Sequence, residues 1–125
     1  ITYPYSMLNE VLRGIRKQEM IVVAAGSGTG KTTFCKELIH HLMMNEQKVG
    51  VIALEESNKR TLLGLVGIHL SKNLLVDRDL ATDDEVLDGF DDLFSNRPCY
   101  LFDSFGSNDI DLICQRIQYM SRALE

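Results

Sequence analysis

Ile21-Val22-Val23-Ala24-Ala25-Gly26-Ser27-Gly28-Thr29-Gly30-Lys31-Thr32-Thr33 carries a short apolar run through three spaced glycines into Lys-Thr-Thr. Physically it reads as a strand, a tight loop and the first turn of a helix, the three parts of a phosphate-binding loop. Glycines at 26, 28 and 30 open backbone dihedrals closed to other residues, so consecutive N–H groups can converge on one anion. Lys31 brings a mobile positive charge for terminal phosphates, and the Thr32 hydroxyl is placed to ligate Mg²⁺. The helix that begins there adds the positive end of its dipole. The nucleotide-binding set expected from this pattern is Ala25, Gly26, Ser27, Gly28, Thr29, Gly30, Lys31, Thr32 and Thr33. Ala25 stands where the strict pattern G-x-x-x-x-G-K-[ST] has its first glycine, and alanine is small enough to lie close to a nucleotide.

Upstream, residues 1–18 read as an approach segment. Tyr3-Pro4-Tyr5 is extended, Leu8, Val11, Leu12 and Ile15 offer a short apolar face, and Gly14 marks a turn. The first strand is expected from residue 19 or 20 to 25. Downstream, residues 32–46 place Phe34, Leu38, Ile39, Leu42 and Met43 at the spacing of a helix with one buried stripe. Residues 49–54 are nearly all apolar, as a parallel strand buried on both faces would be. Strand, helix and strand in succession make a right-handed crossover unit, which predicts an α/β fold with a parallel sheet flanked by helices.

Residues 59–70 read as a helix weakened by Gly64 and Gly67, and residues 71–82 as irregular. Over 83–94, Asp83, Asp84, Glu85, Asp88, Asp91 and Asp92 form the solvated face of an amphipathic helix in preference to a metal site. A third strand over 99–103 follows Pro98. Residues 104–107 are a loop, and 109–123 a helix with Ile110, Ile113, Cys114, Ile117 and Met120 on one face.

At 125 residues, 45% apolar and 25% charged, the chain has material for one soluble domain and not for two. No apolar run approaches membrane-spanning length and the first residues do not form a signal peptide, so an intracellular protein with no membrane partner is expected. Cys35, Cys99 and Cys114 lack metal-ligand spacing and are expected to be small buried apolar residues in a reducing compartment. His40 and His41 fit a surface or dipole-facing position late in their helix better than catalysis. A formal net charge of −5 argues against a surface that coats nucleic acid, and the cluster Arg13, Arg16 and Lys17 is modest.

A nucleoside triphosphatase needs one carboxylate to support Mg²⁺ and another to orient or deprotonate the attacking water. Ligands gather at the carboxyl ends of parallel strands, which puts Glu55 and Glu56 on the edge of the phosphate loop. Neighbouring side chains on an extended segment point to opposite sides, so only one of the two can readily face the site. Tyr100-Leu101-Phe102-Asp103, an apolar strand ending in aspartate, offers Asp103 as a metal candidate.

Taken together, Gly26 through Phe34, Lys48-Val49-Gly50 with Leu54-Glu55-Glu56-Ser57, and Leu101-Phe102-Asp103-Ser104-Phe105 closely resemble the helicase domain of phage-type replicative primase-helicases. The bacterial replicative hexameric helicases and the mitochondrial Twinkle helicase are more distant relatives. The resemblance runs from about Leu8 to the end of the chain and implies a RecA-like core, ring hexamers, ATP or dTTP hydrolysis with Mg²⁺, and translocation on single-stranded DNA. It gives Lys31 and Thr32 the Walker A roles and Glu55 that of the catalytic glutamate. Asp103 matches an aspartate on a strand preceding the true Walker B strand, which leaves it a secondary metal candidate.

In that family the Walker B aspartate, sensor residue, DNA-binding loops and arginine finger all follow the segment that ends at Glu125. Residues 1–125 are therefore expected to be the amino-terminal part of a helicase core, with 1–18 as approach and 19–125 as an α/β core incomplete at its carboxyl side. On its own this segment is expected to turn over little. The expected setting is a phage-infected or bacterial cytoplasm, ahead of a mitochondrial matrix. Another RecA-like ATPase of recombinase or clock type, or a non-catalytic nucleotide-binding interaction module, are the alternative readings.

Overall fold

The computed structural model describes residues 1–106 and 109–125. Among these residues five helices and two strands follow one another as α1 (Ser6–Leu12), α2 (Lys31–Met44), β1 (Val49–Ala53), α3 (Asn58–His69), α4 (Asp83–Phe94), β2 (Cys99–Asp103) and α5 (Ile110–Ala123). A single 3₁₀ turn at Arg78–Leu80 interrupts the otherwise irregular stretch before α4. Of the loop expected over 104–107, Ser107 lies outside the described residues.

β1 and β2 pair in parallel, from Val49 opposite Cys99 to Ala53 opposite Asp103, and α3 and α4 make the long crossover that a parallel pair requires. Their carboxyl ends therefore lie side by side. The strand expected over 20–25 does not form. No ladder includes it, and Met20 and Val22 are 90% and 74% exposed. A strand exists only where a neighbour's N–H and C=O groups complete its ladder, and an apolar run does not supply that neighbour by itself. β1 is also less covered than expected. Val49 is buried, Gly50 is exposed and Val51, Ile52 and Ala53 are half-buried.

The core lies between the sheet and α2, α3 and α4. Met43, Leu65 and Leu93 are fully inaccessible, with Val49, Val66, Leu74 and Ala81 beside them. α4 buries Gly89 and Leu93 while its carboxylates face solvent, and its start is fixed reciprocally: Thr82 Oγ1 accepts from Glu85 N, and Glu85 Oε2 from Thr82 N. α2 and α3 close with the same motif. Gln47 N donates to Leu42 O and Glu46 N to Met43 O, and likewise Lys72 N to Gly67 O and Ser71 N to Ile68 O. Glu46 and Ser71 accordingly take left-handed φ values of 59° and 56°. Gly67 does more than weaken α3, because a Cβ there would sit 2.7 Å from Lys72 O. α5 leans on the sheet through Met120, while Ile110 and Ile117 of its expected apolar face stay exposed.

Candidate nucleotide site

Local backbone chemistry builds the phosphate loop. Gly28 and Gly30 have φ of +72° and +91°, the left-handed region that side chains with a Cβ rarely adopt. Thr29 Oγ1 donates to Gly26 O at 2.6 Å and closes the turn. Gly30 is the N-cap of α2, and its carbonyl takes the first helical hydrogen bond from Phe34 N at 2.9 Å. No side chain caps this end, and the first turn carries no acidic residue, so the leading N–H groups of α2 point outward unanswered. An uncapped helix start after a left-handed glycine loop is a ready anion site. Lys31 Nζ meanwhile donates to Ala25 O at 2.8 Å, folded back over the loop it belongs to.

Beside the loop is a cleft of about 350 Å³ whose walls include Lys31, Thr32, Cys35, Val51, Glu55 and Thr61. The structure thus brings Lys31 and Thr32 of α2 together with Glu55 from the end of β1. Glu56 and Lys36 line the same cleft, so both neighbouring glutamates reach it instead of the one expected, and it is hydrogen bonding that distinguishes them. Glu56 Oε1 accepts from Lys36 Nζ at 2.7 Å and Oε2 from Thr61 Oγ1 at 3.0 Å, whereas Glu55 is exposed and has no hydrogen bond or ion pair with the described residues.

Asp103 is not brought into the cleft. Its Oδ2 accepts from Asn58 N at 2.7 Å and so stabilises the start of α3, which is a structural task that competes with metal ligation. Thr33 lines a separate cavity of about 330 Å³ with Lys36, Gly64 and Gly67. Among the described residues no group of three or more His, Cys, Asp or Glu could hold a metal, and Thr32 is exposed at the cleft beside Lys31. The uncapped helix start and Lys31 fit a polyphosphate.

Three features escaped the sequence reading. Cys35 is exposed in the cleft instead of buried, and Cys114 is exposed as well, while Cys99 is half-buried and its thiol is pushed up to about 11 by burial. The signal for Cys35 was its helical spacing, four residues after Lys31 and three after Thr32. Lys36 is 5% exposed, although a lysine on a helix reads as solvated. His40, expected at a surface or dipole-facing position, is half-buried and meets His69 Nδ1 through Nε2 at 3.2 Å.

Comparison with known proteins bears on the whole chain. The family described as DnaB-like helicase C terminal domain matches residues 1–122. Over 123 residues the chain is 31% identical to the DNA helicase/primase of Enterobacteria phage T3, covering 94% of this chain and 22% of that relative's length.

Proposed function

The chain belongs to the DnaB-like helicase C-terminal domain family, a RecA-like α/β P-loop fold, and on that premise we propose that it is the nucleotide-binding part of a replicative DNA helicase. One observation carries the reading: Lys31, Thr32 and an unpartnered Glu55 share a single cleft at the start of α2. The leading N–H groups of α2 and the loop receive the triphosphate of ATP or dTTP. Lys31 exchanges a neutral carbonyl for an anionic oxygen, the stronger kind of hydrogen bond. Thr32 holds Mg²⁺, which when bound neutralises charge on the phosphate oxygens. Glu55 orients the attacking water and accepts its proton, having no competing partner.

In the full-length protein this site works within a homo-hexameric ring that tracks single-stranded DNA inside the infected or bacterial cell. Among the described residues no helix is long and apolar enough to cross a membrane. The test is calorimetric titration of Mg²⁺-ATP and Mg²⁺-dTTP into the protein and its Lys31→Ala variant. Affinity is expected to fall by about tenfold or more, on the scale of one lost charge-assisted contact. Equal affinities overturn the proposal. Unwinding of a forked duplex by the full-length protein separates a helicase from other RecA-like ATPases.

A further inference from the structure

Glu56 is held from two helices at once. Its Oε1 accepts from Lys36 Nζ of α2 at 2.7 Å and faces Arg60 Nε of α3 at 3.3 Å, while Oε2 accepts from Thr61 Oγ1 of α3 at 3.0 Å. The Lys36 and Glu56 side chains are only 6% and 15% exposed. A glycine makes this possible, since a Cβ on Gly64 would lie 2.9 Å from Lys36 Cδ and 3.0 Å from Nζ. Five residues from α2, the β1–α3 connection and α3 thus depend on one another.

An ion pair this sheltered is weak evidence of stability, because well-packed apolar side chains of similar volume serve as well or better. What it adds is direction. Residues 54–56 lie beyond the β1–β2 ladder and before Ser57, the N-cap of α3, so no regular hydrogen-bond pattern fixes them. We infer that Lys36 and Glu56 are positioning residues: their pair clamps the end of β1 to the helix that starts with Lys31, and so sets Glu55 against the phosphate loop. Both glutamates line the cleft, but Glu56 is tied to Lys36 of α2 and Thr61 of α3, and its neighbour Glu55 is left without a partner among the described residues. Lys36 lies little more than one turn after Lys31 on the same helix, so the clamp and the phosphate-binding ammonium share one rigid body. This inference rests on Glu55 being the carboxylate that acts on water.

The test uses the full-length protein and measures kcat, nucleotide KM and direct nucleotide affinity for Glu55→Gln, Glu56→Gln, Lys36→Met and the double variant Lys36→Met/Glu56→Gln. A clamp predicts that each of the two pair variants lowers kcat by about tenfold or more while KM and affinity stay within about threefold. It also predicts that the double variant is much less impaired than the product of the singles, because the second substitution removes a partner already lost. If Lys36→Met does not fold, Glu56→Gln, which keeps the side-chain shape, decides. Wild-type kcat in the pair variants, or a kcat that falls in step with affinity, overturns the inference. If Glu55→Gln itself retains turnover, the reading of Glu55 fails. If Glu55→Gln abolishes turnover and the pair variants match wild type, only the clamp fails.

Discussion

Polar groups meet opposite fates at the two ends of α2. At its start the leading N–H groups are uncapped, Lys31 and Thr32 are exposed, and Glu55 across the cleft has no partner. Further along, Lys36 is paired with Glu56, His40 touches His69, and the last carbonyls are closed by Glu46 N and Gln47 N around a fully buried Met43. Unanswered polar groups are tolerable only where water reaches them, since burying one without a partner costs about 1–3 kcal/mol. Among the described residues no buried side-chain nitrogen or oxygen lacks a partner. On the proposed reading one helix carries a binding end and a folding end, and nucleotide affinity and fold stability should fail independently.

The largest effects should come from testing that independence directly. Leu65→Ala empties a fully buried position and is expected to cost about 2–5 kcal/mol in urea unfolding, with nucleotide affinity of the folded protein unchanged. Lys31→Ala should do the converse, losing affinity while the unfolding free energy stays within about 0.5 kcal/mol of wild type. A Leu65→Ala protein that stays folded yet loses nucleotide, or a Lys31→Ala protein that melts early, would break the distinction.

Gly67→Ala comes next. The added Cβ would meet a backbone oxygen, Lys72 O at 2.7 Å, and backbone cannot swing aside as the end of a side chain can. Crowding of this kind costs about 1–3 kcal/mol, read as a lower urea midpoint. Gly28 gives the contrast at the binding end, where a Cβ would meet nothing within 4 Å and only its φ of +72° opposes a side chain. Gly28→Ala should cost about 1–2 kcal/mol, the penalty of a left-handed residue. Equal costs at full ligand saturation and in free protein would show that the loop keeps one conformation throughout.

These two ends were not equally legible in the sequence. The phosphate loop was readable because its chemistry is local: glycine spacing, Lys31 and Thr32 sit within a few residues. α4 was readable for the same reason, its 3.6-residue period lying within one segment. The run at residues 20–25 was misread because apolar composition specifies a willingness to pair, while the partner must come from elsewhere. Lys36 was invisible for a related reason. Its burial needs Glu56 twenty residues on and the vacancy at Gly64 beyond that, a three-way arrangement no single window contains. Gly64 and Gly67 were legible as weak helix formers, but their use, close approach of neighbouring atoms, depends on what packs against them.

Smaller still is the effect of relieving strain at the folding end of α3. Ser71 holds a φ of 56° to let Lys72 N reach Gly67 O. Ser71→Gly should raise stability by about 0.5–1 kcal/mol, the left-handed penalty removed less the added chain entropy of glycine. An unchanged or lower unfolding midpoint would show that the Ser71 side chain contributes more than its backbone costs.

The smallest expected effect concerns how completely the folding end is committed. His40 is held below its ordinary 6.5, first by burial and then by the positive neighbours His69, Arg97 and His41. His69 in turn bonds Asp92 Oδ2 through Nε2 at 2.6 Å, so this line of polar contacts runs from α2 across α3 to α4. The His40–His69 contact needs a proton on one nitrogen and a lone pair on the other; with both protonated, two donors would meet head to head. Above 6.5 His40 is neutral in both folded and unfolded chains and contributes no pH dependence. Between 6.5 and the lower folded value the unfolded chain binds more protons, so stability falls as pH falls through that window and levels off below it. Comparing urea midpoints at about pH 7.5 and about pH 5.5, wild type should lose more stability than His40→Gln, the difference isolating this imidazole from other titrating groups. Parallel losses in the two proteins would mean that the helix end tolerates a charge there, and that the division along α2 is less sharp than its hydrogen bonds suggest.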